Sequence, residues 1–252
     1  MTICVCIKGV PDDEWKVAVS ERGNLPVIRE YQMNSFDEFA LEEALRIAQQ
    51  RGDGTQVVLI CCGPPETEAV LRTALGMGGD KAVHIVDDPL FQLDAYRTAC
   101  VLSEAVRAFS PDLVLMGKQA TDLPSHQVAA MTANLLGLAL TTDAVRIDAK
   151  DAVLEADRLI ERGALQTVEL PLPAVVSVTR GINEPRYPSF KNIMAAKRKE
   201  IERVPVSEYL NGYHPKATLE ILSIQPFASG DCEFLDGDAP DIAAKLLDAL
   251  KL

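Results

Sequence analysis

The chain reads as an α/β protein: a mostly parallel, doubly wound sheet with helices on both faces, then a small β-rich extension and a C-terminal arm. Three observations predict this. Apolar runs of strand character recur at Thr2–Lys8, Gln56–Cys62, Lys81–Val86 and Asp112–Met116. Helical patterns separate them, and that alternation builds parallel sheets through crossover connections. After about residue 140 the rhythm stops and shorter strand-like segments take over. The α/β body is assigned to residues 1–203 and the arm to residues 204–252.

The elements follow in order. Thr2–Lys8 ends at Gly9 and Pro11, and an irregular stretch runs to Met33. Phe36, Phe39, Ala40, Ala44, Leu45, Ile47 and Ala48 are spaced as one face of a helix over Phe36–Gln50. Asn34 or Ser35 would cap it, and Asp37 and Glu38 suit its positive end. The strand Gln56–Cys62 closes at Gly63-Pro64-Pro65, and Glu66–Met77 reads as a helix ending among glycines. Asp94–Phe109 is a longer helix, stopped by Ser110-Pro111, and Pro124–Leu136 is again helical. Beyond it, Asp143–Ala156 and Leu165–Leu170 look like short strands of a hairpin or meander, and Leu172–Val178 is a further apolar strand. A polar segment to Ala217, a strand at Thr218–Ile224 and a small amphipathic helix at Asp241–Leu250 complete the chain.

Composition narrows the function. The formal charge is -12, which argues against nucleic acid or an anionic membrane as the main partner. Hydrophobic residues make up 48% of the 252, enough for a packed core rather than general disorder. Cys4, Cys6, Cys61, Cys62, Cys100 and Cys232 form no C-x-x-C pair, and four lie in buried-strand runs, so reduced structural thiols fit better than disulfides or zinc. Met1 leads directly into a strand-like run, and no apolar stretch approaches a membrane span. The sequence therefore reads as soluble and cytoplasmic.

On a doubly wound sheet, ligands bind beyond the carboxyl ends of the strands. Those ends carry Cys6-Ile7-Lys8, Cys62-Gly63-Pro64 and Gly117-Lys118-Gln119, so three loops converge on one crevice. The turn Gly117-Lys118-Gln119-Ala120-Thr121-Asp122 follows a strand and precedes a helix whose N-terminus is an anion site, with Ser125, His126 and Gln127 nearby. It reads equally as a simply capped helix in a loop. It is neither a Walker motif nor a dinucleotide fingerprint. His84, His126 and His214 have no metal-ligand spacing, and no acid, base and nucleophile fall together.

The stretch Ile182–Ile201 stands apart. Pro185 keeps Glu184 out of the helical region, and Ser189 is a natural N-cap. Phe190, Ile193, Met194 and Lys197 then share a helix face that turns from apolar to basic. That pattern suits a docking element. From spacing alone, an ordinary surface helix with Phe190 and Met194 tucked into the core is the better reading.

Several segments appear together in a recognisable order: VCIKGVP, MNSFDEFALEEAL, CCGP, ALGMGGDKAVHI, DLVLMGKQATD, LPAVVSV and NEPRYPSFKNIMAAKRKEI. In this order they resemble the β subunit of electron transfer flavoprotein, over residues 1 to about 201 and loosely to the end. The resemblance implies an adenine-nucleotide-binding fold and a non-catalytic electron carrier. It implies an α subunit holding most of the FAD, an acyl-CoA dehydrogenase-type donor, as in fatty acid oxidation, and a quinone oxidoreductase acceptor. It implies AMP in the crevice, with a second FAD there in bifurcating relatives as the alternative. The positions matching nucleotide-contacting segments are Cys6, Asn34, Ser35, Phe36, Asp37, Cys62, Gly117, Gln119, Asp122, Ser125, Gln127 and Val128. Phe36 also matches the residue that approaches the flavin. Pro188, Phe190, Ile193, Met194 and Lys197 match the loop that docks the donor, which reverses the reading from spacing. The C-terminal arm is expected to pack on the α subunit.

The sequence departs from the family in four places. Phe190 stands where the family has an anchoring leucine. Leu123-Pro124-Ser125-His126 replaces a Gly- or Asp-containing turn, and Pro124 removes one N–H donor. Asp13 lies near a position where some relatives have tyrosine, and in the altered 158–164 segment Glu161 is the nearest candidate for an acid facing the flavin. Rivals of another class are an adenine-nucleotide hydrolase or synthetase, and a nucleotide-sensing binding module. The first lacks a glycine-rich pyrophosphate loop after its first strand, and the second does not account for the extension or the basic loop.

Overall fold

The computed structural model describes residues 1–12, 18–19, 26–28, 30–86, 94–210 and 234–250. The expected strand at Thr218–Ile224, Cys232, His214 and Asp13 lie outside the described residues.

Strand β1 (Thr2–Ile7) explains why its sequence is apolar without alternation. Ile3, Val5 and Ile7 face one core while Cys4 and Cys6 face the other. A strand covered on both faces needs apolar residues at every position. β2 (Gly9–Pro11) pairs antiparallel with β5 (Tyr31–Met33), and β3 (Ala18–Val19) with β4 (Pro26–Val27), as two small ribbons. The main elements that follow are α1 (Ser35–Arg51), β6 (Gln56–Gly63), α2 (Glu68–Met77), β7 (Lys81–Val86), α3 (Ala95–Arg107), β8 (Leu113–Gly117) and α4 (Val128–Leu136). Then come β9 (Ala139–Ala149), β10 (Val153–Leu159), β11 (Leu165–Pro171), β12 (Ala174–Val178), α5 (Phe190–Ala196), β13 (Glu202–Pro205), α6 (Val206–Leu210) and α7 (Ala239–Ala249).

One nine-stranded sheet has the order β11-β10-β9-β12-β8-β1-β6-β7-β13. Neighbouring strands from β9 to β13 in this order are all parallel, and antiparallel pairing enters only through β10. Helices α1, α2 and α5 contribute to the core on one face, and α3, α4 and α6 to the core on the other. The expected doubly wound fold is therefore present, and the β-rich extension continues the main sheet. From β1 the chain moves outward through β6 to β7, then returns to place β8 on the other side of β1. This reversal makes the cleft between the carboxyl ends of β1 and β8 the topological switch point.

Three expectations change. The helix placed at Pro124–Leu136 begins only at Val128, because His126 takes a left-handed φ of 57° that interrupts any helical path from Pro124. Asp143–Ala156 spans two strands with a turn between, closed by the Lys150 N–H donating to the Val153 carbonyl at 2.9 Å. The boundary after residue 203 falls inside β13, and Val204, Val206 and Leu210 are buried in the core, so the body extends at least to α6. No residue of α7 is buried.

Candidate functional site

Two side chains near the start of α1 build the switch-point crevice. Asp37 is buried, and its carboxylate joins two strand ends. One oxygen accepts from the Lys8 N–H at 2.8 Å and the other from the Gly117 N–H at 3.0 Å. Burial raises its pKa to about 7, although those hydrogen bonds, one from Asn34 and the charge of Lys8 pull it down. Asn34 occupies the N-cap position of α1, but its side chain does not cap the helix. It reaches across the crevice instead, donating to the Gln119 carbonyl at 2.8 Å and accepting from the Thr121 N–H at 3.1 Å. Gly117 is required where these groups meet: a Cβ there would lie 2.3 Å from the Asp37 carboxylate and 2.7 Å from the Phe36 Cβ.

The loop after β8 forms the other wall. The Lys118 N–H donates to the Val178 carbonyl at 2.9 Å, and its ammonium pairs with Asp143 at 3.0 Å. Asp122 pairs with Lys8 at 2.7 Å. The first intrahelical bond of α4 runs from the Met131 N–H to the Gln127 carbonyl at 3.0 Å, and Gln127 provides no side-chain cap. The N–H groups of Val128, Ala129 and Ala130 precede that bond and face the end where an anion is favoured. Ser125 is partly exposed and Gln127 exposed beside them. An uncapped helix end beside a glycine-tight loop is a place where an anion is favoured.

The fold thus brings the expected residues together in different capacities. Asn34, Asp37 and Gly117 join with the backbone at Gln119 and Thr121, Asp122 pairs with Lys8, and Ser125, Gln127 and Val128 follow along the same loop into α4. Cys62 lies partly exposed at the end of β6. Cys6 is buried in β1, and burial pushes its thiol pKa well up. Phe36 is also buried, with the Arg180 guanidinium 5.0 Å from its ring centroid and the same guanidinium donating to the Ser35 hydroxyl at 3.3 Å. Arg180 and Asp143 were not singled out from sequence. Arg180 follows a strand end, the one signal that would have marked it. Glu161 is exposed at the β10–β11 turn, beside Arg162 with φ 61°.

Behind Cys62, Thr67 accounts for two neighbouring glycines. A Cβ on Gly9 or on Gly63 would lie 2.7 Å or 3.0 Å from its side chain. The Thr67 hydroxyl donates to the Pro64 carbonyl at 2.8 Å and lies 3.0 Å from Nε2 of the fully buried His84. Its proton is committed to Pro64, so Nε2–H of His84 is the donor to Thr67. Burial lowers the His84 pKa, which keeps the ring neutral. His84 is a core residue whose Nε2 is paired with Thr67 and whose Nδ1 is buried without a hydrogen-bond partner among the described residues.

A second feature lies along α1 and α2. Ser189 caps α5 by accepting from the Asn192 N–H at 3.2 Å, as its sequence predicts. Phe190 is not tucked into the core: it is 79% exposed, and Tyr187 is 96% exposed. Ile193 and Met194 are also exposed, and Ala196 alone of α5 is buried. Lys197 is exposed, and Pro188 packs toward Gly76, where a Cβ would lie 3.2 Å from the proline.

The sequence model described as "Electron transfer flavoprotein domain" matches residues 27–209. The electron transfer flavoprotein subunit beta of Bradyrhizobium diazoefficiens is 34% identical over 98% of this chain and 97% of its own length. The chain belongs to the electron transfer flavoprotein family, among its β subunits. The Homo sapiens subunit beta is 34% identical over 89% of this chain and 88% of its own length. For the Dictyostelium discoideum protein of the same name the values are 35%, 89% and 88%. Membership makes this an electron-carrier subunit of a flavoprotein, paired with an α subunit. Among the described residues, no helix is long and apolar enough to cross a membrane, and no group of three or more His, Cys, Asp or Glu residues is placed to hold a metal ion.

Proposed function

We propose that this chain forms a heterodimer with an α subunit that holds most of the FAD, and that it binds AMP in the β1/β8 crevice. The FAD supplies the electron-accepting and electron-donating chemistry when bound. The heterodimer, in the cytoplasm, takes electrons from acyl-CoA dehydrogenase-type flavoenzymes, as in fatty acid oxidation, and delivers them to a quinone oxidoreductase. This chain catalyses no step itself: it holds, walls and docks.

The α4 end of the crevice carries the AMP reading. The N–H groups of Val128, Ala129 and Ala130, with Ser125 and Gln127, would receive the phosphate. Cys62, Gln119 and Val128 would border the nucleoside. Asn34 and Asp37 act through the loops they place, since their hydrogen-bonding groups are taken up by Thr121, Gln119, Lys8 and Gly117. Phe36, with Arg180 over its ring, would wall one side of the flavin of the α subunit. The exposed Phe190 and its neighbours Pro188, Ile193, Met194 and Lys197 would dock the donor, and the C-terminal arm would pack on the α subunit.

Acid extraction of the purified heterodimer, with chromatography of the released nucleotides, tests this. One FAD and one AMP per heterodimer is the expected result. Two FAD and no AMP would move the protein to the bifurcating branch. Absence of both nucleotides would overturn the reading.

A further inference from the structure

The segment that carries Phe190 is fastened on both sides, and the fastenings lie outside the residues assigned to docking. Upstream, the Arg186 side chain grips Glu42 of α1 with Nε at 2.7 Å and Nη2 at 2.8 Å, and its backbone N–H adds a third bond at 3.1 Å. Asn183 donates to the Phe39 carbonyl and to Glu43, both at 3.0 Å. Glu42 and Glu43 are buried. Downstream, Arg72 of α2 donates to the carbonyls of Ala196 at 3.0 Å and Lys199 at 2.5 Å. The Lys199 ammonium returns to the Gly79 carbonyl at 2.6 Å. Glu68 pairs with Arg72 at 3.0 Å, orienting it.

Between the two fastenings lie the most exposed aromatic side chains of the segment, Tyr187 and Phe190. A short helix with a free choice would turn Phe190 inward, because burial of an aromatic ring is favourable. Here the upstream flank is fixed to the buried Glu42 and Glu43, and the downstream flank to the half-buried Arg72. The seven residues of α5 are also too few to hold a helix unaided. Order in the segment comes from the packing of α5 on α2 around Gly76 and from the fastenings at its ends.

We propose that Arg186 and Arg72 are positioning residues that hold residues 187–195 as a preformed docking bow. The inference rests on the docking reading above and adds what makes that surface ready. A preformed bow avoids the ordering cost of a loose loop. Lys191, Lys197 and Arg198 are exposed around Phe190, Ile193 and Met194 on a chain of net charge -12. The partner surface that fits is an apolar pocket rimmed by carboxylates, on the electron-donating flavoenzyme.

The test uses the purified heterodimer, chymotrypsin, and an acyl-CoA dehydrogenase with its acyl-CoA as donor. Chymotrypsin should cut slowly after Phe190 despite its exposure, since cleavage needs the bow to open locally. Arg186→Met leaves Glu42 buried without its cation and risks misfolding. The paired change Glu42→Met with Arg186→Met removes the fastening while replacing a buried ion pair by apolar side chains, which proteins tolerate. That pair, and separately Arg72→Met, should speed cleavage after Phe190 by about tenfold or more. Each should raise the KM for the dehydrogenase by about fivefold more than it changes kcat. A merely structural role would lower the melting temperature and leave that split unmoved.

Cleavage and KM unchanged in both variants would overturn the positioning role, even where Phe190→Ala raises KM. Unchanged donor kinetics in Phe190→Ala would overturn the docking reading, and with it the proposal, even where cleavage accelerates.

Discussion

Asp37 should make the stability of the crevice depend on pH in an unusual direction, and Asp37→Asn should remove that dependence. Its folded pKa of about 7 lies above the ordinary carboxylate value because burial penalises the charge. In the unfolded chain the group titrates near about 3.9. Between these values the folded state holds the proton and the unfolded state does not, so this group's contribution is full below the lower value. It is lost progressively as pH rises through the upper one. With about 1.36 kcal/mol per pKa unit, the contribution falls by about 2.5 kcal/mol between about pH 5 and about pH 8. Asparagine cannot ionise, but it offers only one oxygen to the two N–H groups of Lys8 and Gly117. It should therefore cost about 1–3 kcal/mol for the buried donor left over. The cost is largest in acid and shrinks toward about pH 8 as the aspartate itself becomes ionised. The assay is the melting temperature of purified wild-type and Asp37→Asn heterodimers across that range. For a chain of this length about 2–4 °C accompanies each kcal/mol, so the gap between the two proteins should close by about 5 °C or more toward alkaline pH. A gap that stays constant, or widens, would refute the assignment of a protonatable carboxyl bridging the two strand ends.

Other consequences are sharper in place than in size. Gly117→Ala forces a Cβ to within 2.3 Å of the Asp37 carboxylate, so it should cost about 1–3 kcal/mol in thermal unfolding and weaken retention on gel filtration of the AMP proposed for the crevice; wild-type stability would contradict the close approach. Thr67→Val keeps the shape but takes away the partner of His84 Nε2, and a loss of about 1–3 kcal/mol in thermal unfolding is expected. The His84 pKa is lowered by burial, so its contribution is present above about 6.5 and is lost as pH falls below it. His84→Gln should flatten that acid limb. Lys197→Glu should slow electron delivery from the donor at low salt, and the deficit should shrink as ionic strength rises, because screening weakens a rim charge.

The strands were legible because burial on both faces writes a continuous apolar run. Thr2–Ile7, Gln56–Gly63 and Leu113–Gly117 are such cases, and the crevice followed from where those runs stop. The start of α4 was not, because Pro124, Ser125 and His126 resemble a helix start until the left-handed φ of His126 is seen. α1 shows the deeper limit. Its apolar spacing gives the helix, but Asp37, Glu42 and Glu43 look like solvent-facing acids, and all three are buried. Their partners, Gly117, Arg186 and Asn183, lie at separations of 80 to 144 residues, beyond any local pattern. Spacing alone favoured a core position for Phe190, which is exposed, because a seven-residue helix face does not show which side meets the core.

That burial gives α1 its place in the molecule. A helix with one apolar stripe normally leaves its other side to water. In α1 the polar residues near its start join β1 to β8 and hold the loop at Gln119–Thr121, and the acids one to two turns further on hold Asn183 and Arg186. Each acid is buried with donors, which is the condition under which burying it is tolerable. The same helix therefore fixes the walls of the crevice and one end of the segment that carries Phe190. Neither region has its shape from its own residues alone: removing Asp37 would release the joined ends of β1 and β8, and removing Glu42 would loosen a segment more than 140 positions away. A single helix pinned at both places sets the crevice and the Phe190 segment in relation to each other.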